Sequence, residues 1–296
     1  MKTRRQFVSS TLTLAAATVL PVYAKEQPPV LAVTRNASPA ALVAKAIEMI
    51  GGISKFVKAG QSVLIKPNIS WDRLAEQAAT TNPQVVAEVV RLCKNAGARQ
   101  IRIVDRTCNH AQRCYKRSGI EKMASDAGAQ VRHVVNSRFK ETAIAEGRIV
   151  KSWPIYKDVF DADVVINIPI AKHHNVSGVS LGMKNIMGLL GGNRGDLHVD
   201  FATKIVDLNT VIRPTLTIID AYRVLRRNGP SGGSLDDVEE KKVVIAGTDP
   251  VAVDAYAVQL FGLQAQNIHY LNNAAKRGLG RLDLAKVRII EHNFSA

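Results

Sequence analysis

DVVINIPIAKHHNVSGVSLGMKNIMGLLGGNRGDLH, running from Asp163 to His198, is the stretch whose reading decides the fold. Its apolar run, Val164 to Ile170, has strand composition and is bounded by Pro169. Lys172, His173, His174 and Asn175 follow consecutively, a polarity that neither a core nor an ordinary turn requires. The next segment is helical, carries Lys184 and Asn185, and runs into Gly188, Gly191, Gly192 and Gly195 before His198 closes it. A buried strand, polar donors at its carboxyl end, and then a helix make up half of a parallel α/β unit. Such strand ends are where these sheets hold anions or metals.

Outward from this stretch the alternation continues. Val63 to Ile65 reads as a strand that Pro67 stops, leaving Lys66 and Asn68 at its carboxyl end. Asn82-Pro83 caps a helix whose buried stripe is Val85, Val86, Val89, Val90 and Cys93. Ile101 to Val104 is a strand ending at Asp105, followed by a helix over Tyr115 to Ala127 and a strand over Val131 to Val135. Leu216 to Ile219 is a strand ending at Asp220, Arg223 to Gly233 a basic mobile loop, and Val243 to Ala246 a strand before the Asp249-Pro250 helix start and Asp254. Residues 138–156 break the pattern as a β-hairpin, expected on the rim rather than in the core. The expectation is an α/β fold with a mostly parallel (mixed) sheet flanked by helices and an inserted hairpin, residues 25–296 forming a single domain.

The first 24 residues read as a targeting segment. Arg4-Arg5-Gln6-Phe7-Val8, a mildly apolar run from Leu12 to Val22, and Val22-Tyr23-Ala24 as a cleavage site resemble a twin-arginine export signal. A plain secretory signal or a retained anchor is the alternative. The resemblance implies the twin-arginine machinery as a partner, a periplasmic location and export of an already folded protein; the run is too short for a stable membrane span.

The chain is strongly basic, with Lys+Arg 40 against Asp+Glu 25, and the excess gathers between Arg91 and Lys151, where fourteen Lys/Arg face five Asp/Glu. Aromatics at 5% disfavour base stacking, so nucleic acid is not the expected partner; a small acidic ligand, an anionic envelope surface or simple solvation of a basic face remain. Cys93, Cys108 and Cys114 form no Cys-x-x-Cys and no ladder of ligands. Cys93 belongs to a core face, while Cys108 and Cys114 are either a disulfide or two free thiols.

For chemistry, His173 and His174 are adjacent and cannot face the same way, so at most one enters a site. Lys66, Asn68, Lys172, Lys184 and Asn185 are the expected ligand-binding residues, the lysines as compact charges for phosphate or carboxylate. His174 and His198 are the expected proton-transfer pair, and with Asp220 and Asp254 they form the candidate set for a divalent metal, although no fixed ligand spacing supports one. Gly178-Val179-Ser180-Leu181-Gly182 matches a nucleophile elbow in letters, but the serine is too far from the preceding strand.

Lys66-Pro67-Asn68, Asn167 to His174, Gly182-Met183-Lys184-Asn185-Ile186-Met187-Gly188, His198, Ile219-Asp220-Ala221, Gly229-Pro230 and Asp249 to Asp254 together resemble the family called domain of unknown function 362. The resemblance covers nearly all of residues 25–296. It implies a common site at Lys66, Asn68, Lys172, His174, Lys184, Asn185, His198, Asp220 and Asp254 and names no reaction. Some relatives carry a ferredoxin-like cysteine domain that this chain lacks, so no iron–sulfur cluster is expected. The functional expectation is an exported enzyme, or a redox or cofactor accessory, acting on an anionic small molecule. The alternatives are a non-catalytic ligand- or cofactor-binding protein and a binder of anionic envelope polymers.

Overall fold

A computed structural model describes residues 28–295. The expected export signal, residues 1–24, lies outside the described residues.

Strand β1 (Val30–Arg35) leads into α1 (Pro39–Met49), then β2 (Ser62–Pro67), α2 (Pro83–Asn95) and β3 (Gln100–Ile103). Two short helices, α3 (Ala111–Arg117) and α4 (Ile120–Asp126), precede β4 (Gln130–Val131). The hairpin strands are β5 (Phe139–Ala143) and β6 (Ser152–Tyr156), followed by the single turn α5 (Asp158–Asp161). The central stretch folds as β7 (Val164–Ile168), β8 (Ile170–His174), β9 (Gly178–Ser180) and α6 (Gly182–Asn185). The chain closes with α7 (Phe201–Asn209), β10 (Leu216–Leu225), β11 (Val238–Gly247), α8 (Pro250–Val258), α9 (His269–Lys276) and β12 (Arg288–Asn293).

The sheet order is β12-β1-β11-β10-β7-β2-β3-β4. Neighbours are parallel from β10 through β7, β2 and β3 to β4, and again between β1 and β12. Along this path β11 runs the other way, antiparallel to both β1 and β10. The sheet is therefore mixed and mostly parallel, as the alternating pattern implies. β2 and β7 are buried at every position because helices cover both faces, which explains the apolar runs Val63–Ile65 and Val164–Ile166 within them. One apolar layer gathers α1, α2 and α4; the other gathers α7, α8, α9 and the hairpin.

The helix starts follow from the sequence. Asn82 Oδ1 accepts the Gln84 N–H, with Pro83 at the first helical position, and Asp249 Oδ1 accepts the N–H groups of Val251 and Ala252. Each cap stabilises its helix by about 1 kcal/mol.

Several local expectations are corrected. The helix over 115–127 is two helices, because Gly119 takes a left-handed φ of 76° between them. The strand over 131–135 shrinks to two residues. Arg223 lies in β10, which continues past Asp220 to Leu225 and pairs antiparallel with a longer β11, so the loop is shorter than expected.

The hairpin pairs as expected, Phe139 opposite Tyr156, but it is not a rim. Ile144, Val150, Ile155 and Tyr156 are buried in the main core, and the Asp207 carboxylate accepts the N–H groups of Arg148, Ile149 and Val150. Strand alternation reveals that one face is apolar, not what will cover it. Among the described residues, no helix is long and apolar enough to cross a membrane. All three cysteines are free thiols.

Candidate functional site

The parallel order sets the carboxyl ends of β2 and β3 beside β7, whose chain continues through Pro169 into β8, and α6 packs against β7 and β10. Lys66 and Asn68 follow from β2, Asp105 and Arg106 from β3, and Lys172 and His174 from β8; Lys184 and Asn185 come from α6. Lys172 is thus a strand residue rather than a loop residue, because β8 turns back through β9 as a small antiparallel ladder.

These side chains meet in a buried polar network. Lys66 Nζ lies 2.7 Å from Asp105 Oδ1 and also donates to Pro67 O and Asn185 Oδ1. Asn68 Nδ2 donates to the same Asn185 oxygen at 2.9 Å, and Asn68 Oδ1 accepts from Lys172 Nζ at 3.1 Å. Lys172 Nζ also donates to Ala79 O at 2.7 Å. Asn185 Nδ2 donates to Asn167 Oδ1 and to Lys66 O. Gly188 closes the floor over the Lys66–Asp105 pair: a Cβ there would lie 1.7 Å from Asp105 Oδ1. The glycine after Met187 is therefore required by the ion pair beneath it.

The three lysines differ in what they touch. Lys66, 1% exposed, has two oxygen acceptors and the Asp105 carboxylate as an ion-pair partner; burial lowers its pKa while Asp105 opposes the shift. Lys172, also 1% exposed, has two oxygen acceptors, and burial pushes its pKa down to about 7. Lys184, 5% exposed, has none. Its Nζ contacts Met187 Sδ at 3.5 Å and lies 4.3 Å from the Phe201 ring centre, and burial pushes its pKa down to about 7, with repulsion from Arg194 adding to the shift.

Above this network opens a cleft of about 620 Å³, into which Lys172, Lys184, His174 and His198 all project. Arg106, Arg194 and Cys108 also line it, and no Asp or Glu does. Both guanidiniums are braced by backbone carbonyls: Arg194 by Arg106 O and Thr107 O, Arg106 by Leu190 O and Gly192 O. Neither arginine was singled out from the sequence. The signal for Arg106 was its place directly after Asp105 at a strand end; Arg194 lies among glycines that give no cue to a role.

His174 and His198 stack, ring centres 5.8 Å apart and planes 13° from parallel. Phe201 continues the column beyond His198. His174 Nδ1 accepts the Val176 N–H at 3.1 Å, which puts the ring proton on Nε2. His198 Nδ1 faces Gly195 O at 3.2 Å and must donate to it, leaving Nε2 with the lone pair. Burial, reinforced by Lys184, pushes the His174 pKa down to about 3 and lowers that of His198. Two neutral imidazoles of opposite tautomer thus face one cationic cleft, one able to donate and one to accept. His173 points elsewhere, its Nδ1 accepting from Gly229 N–H at 3.3 Å.

Two residues of the metal set are not brought to the cleft. Asp220 accepts the N–H groups of Asn82 and Tyr222, tying the start of α2 to β10. Asp254 accepts those of Gly182 and Met183 and so fixes the start of α6. Burial raises both carboxyls, Asp220 to about 6 and Asp254 to about 7. Among the described residues, no group of three or more His, Cys, Asp or Glu is gathered for a metal ion. Ser180 lies on β9 with no left-handed backbone, so the strained geometry of a nucleophile elbow is absent there.

A thylakoid-associated protein of Synechocystis sp. is 27% identical over 242 residues, covering 79% of this chain and 73% of its own length. The solved lactate racemase apoprotein of Thermoanaerobacterium thermosaccharolyticum aligns with a TM-score of 0.47 at 12% identity, over 83% of this chain. A Thermotoga maritima protein aligns with a TM-score of 0.44 at 12% identity, over 76% of this chain. This chain spans only 56% and 58% of those two solved chains. The sequence profile described as Domain of unknown function (DUF362) matches residues 63–259, from β2 to just past α8, and takes in the whole cleft. The chain belongs to the DUF362 family.

Proposed function

We propose that the cleft binds a small anion, held by Lys172, Lys184, Arg106 and Arg194, and that His174 and His198 move protons on it. One observation carries this reading: a cleft lined by four cationic side chains and two imidazoles with no carboxylate. Bringing lysines together in a buried place raises their free energy, and a bound anion relieves it. The opposite tautomers of the stacked histidines favour an enzyme over a passive carrier, since one ring offers a hydrogen bond while the lone pair of the other can take up and return a proton.

The test is thermal. Sulfate or phosphate at 100 times its dissociation constant adds about 2.7 kcal/mol to stability, so either should raise Tm more than chloride at equal ionic strength. Lys172→Met and Lys184→Met should each lose that gain, and the exposed Lys58→Met should keep it. Equal Tm in sulfate and chloride for the wild type would remove the anion reading.

The same proposal places the protein in the periplasm by the twin-arginine route, on the strength of residues 1–24. Replacing Arg4 and Arg5 together with Lys should leave the precursor inside the cell; normal processing of that variant would overturn the route.

A further inference from the structure

Lys184 differs from the other two lysines in a way that anion binding alone does not use. A buried amine ordinarily has oxygen acceptors, as Lys66 and Lys172 do; Lys184 has a thioether and an aromatic face. Neither competes for the nitrogen lone pair once the amine is neutral. Lys184 lines the cleft, and its one hydrogen-bond contact is outside the network below. Its neighbours suit carbonyl chemistry. Arg106 and Arg194 supply fixed positive charge, and His198 stacks on the ring that Lys184 covers, with its basic Nε2 free of the Gly195 contact.

We propose that Lys184 is a nucleophilic amine that condenses with the carbonyl carbon of a small anionic aldehyde, ketone or 2-oxo acid bound in the cleft. The inference rests on the anion-binding reading of the same cleft. The amine lone pair forms the C–N bond while the C=O π pair moves onto oxygen. The nitrogen gives up a proton to His198 Nε2, which returns it to that oxygen, while the His174 Nε2–H hydrogen-bonds the oxygen without losing its proton. The resulting carbinolamine then takes up a proton on its hydroxyl and expels one water, forming a protonated imine. No oxidant or reductant takes part; amine, carbonyl and one proton give iminium and water. Burial lowers the Lys184 pKa to about 7, so a substantial share of the amine is neutral at neutral pH. Lys172 is placed to hold the carboxylate instead, since its head group is already fixed by Asn68 and Ala79.

The experiment incubates the full chain with pyruvate or glyoxylate and cyanoborohydride, which reduces an imine to a stable secondary amine, and maps the adduct by peptide mass spectrometry. The expected result is one adduct per chain, on Lys184, at least tenfold more abundant than on any surface lysine. Sulfate should suppress it by occupying the cleft. Lys184→Met, with its fold checked by circular dichroism, should lose the adduct, and Lys172→Met should still be labelled on Lys184 at raised carbonyl concentration. No adduct, or labelling spread over exposed lysines, overturns the imine. If sulfate still raises Tm in that case, the anion reading stands and only the covalent step falls; if it does not, both fall.

Discussion

The floor and the wall of the cleft are built from the same residue type and behave oppositely. On the floor, Lys66 hydrogen-bonds Asn185 and Pro67 and is ion-paired with Asp105, beneath a glycine that leaves no room for anything else. On the wall, Lys184 is nearly as buried and has no oxygen partner. The first is a structural ion whose charge is answered inside the protein. The second is a group whose partner must come from outside it. Burial alone does not separate the two roles; the count of acceptors does.

The largest expected difference between floor and wall is in stability. Lys66→Met should cost about 3–5 kcal/mol in denaturant unfolding, because it leaves the Asp105 carboxylate buried without its cation. Replacing Asp105 with Leu in the same chain should recover most of that loss. A Lys66→Met protein as stable as the wild type would show that the floor pair is dispensable and would erase the distinction. Lys184→Met, by contrast, removes an unanswered polar group and should leave ligand-free stability unchanged or raised.

A smaller effect concerns pH. Lys172 and Lys184 have folded pKa values near 7 against an unfolded value of about 10.4, so between these limits the folded state holds fewer protons than the unfolded one. Ligand-free stability should therefore rise with pH across this window, by up to about 1.4 kcal/mol per unit for each lysine. Below pH 7 the penalty is fully present. Asp254, raised to about 7, acts with opposite sign between about 4 and 7, and the buried Cys93 thiol, raised to about 12, opposes the lysines at alkaline pH, equally in the wild type and in Lys184→Met, so the difference in slope belongs to Lys184. Unfolding curves at several pH values from 7.5 to 9.5 should show a shallower rise for Lys184→Met than for the wild type. Parallel slopes would mean that Lys184 keeps its charge when empty.

Much of the site was legible before any coordinates. Lys66, Asn68, Lys172, His174, Lys184, Asn185 and His198 could be named because a proline or a change of periodicity ends each strand in plain view, and polar residues just beyond a parallel strand end are conspicuous against the apolar run. Asp220 and Asp254 looked the same in sequence and proved different. A carboxylate that accepts backbone N–H groups from another element is indistinguishable from a ligand until that element is placed. Arg106 and Arg194 failed in the opposite direction, since arginines in loops are usually solvated and only the carbonyls that brace them mark these two.

Sequence alone was enough for the α/β class, the helix caps and the end of β2 at Pro67, because periodicity, proline and capping residues act over a few positions. Tertiary structure alone decided that β11 runs antiparallel, that the hairpin enters the core through Ile144 and Ile155, and that Lys66 has two oxygen acceptors and an ion-pair partner while Lys184 has none. The physical reason is separation along the chain. A partner such as Asp105 or Asn185 lies 39 or 119 positions from Lys66, and no local pattern records which distant acceptor a buried charge will meet.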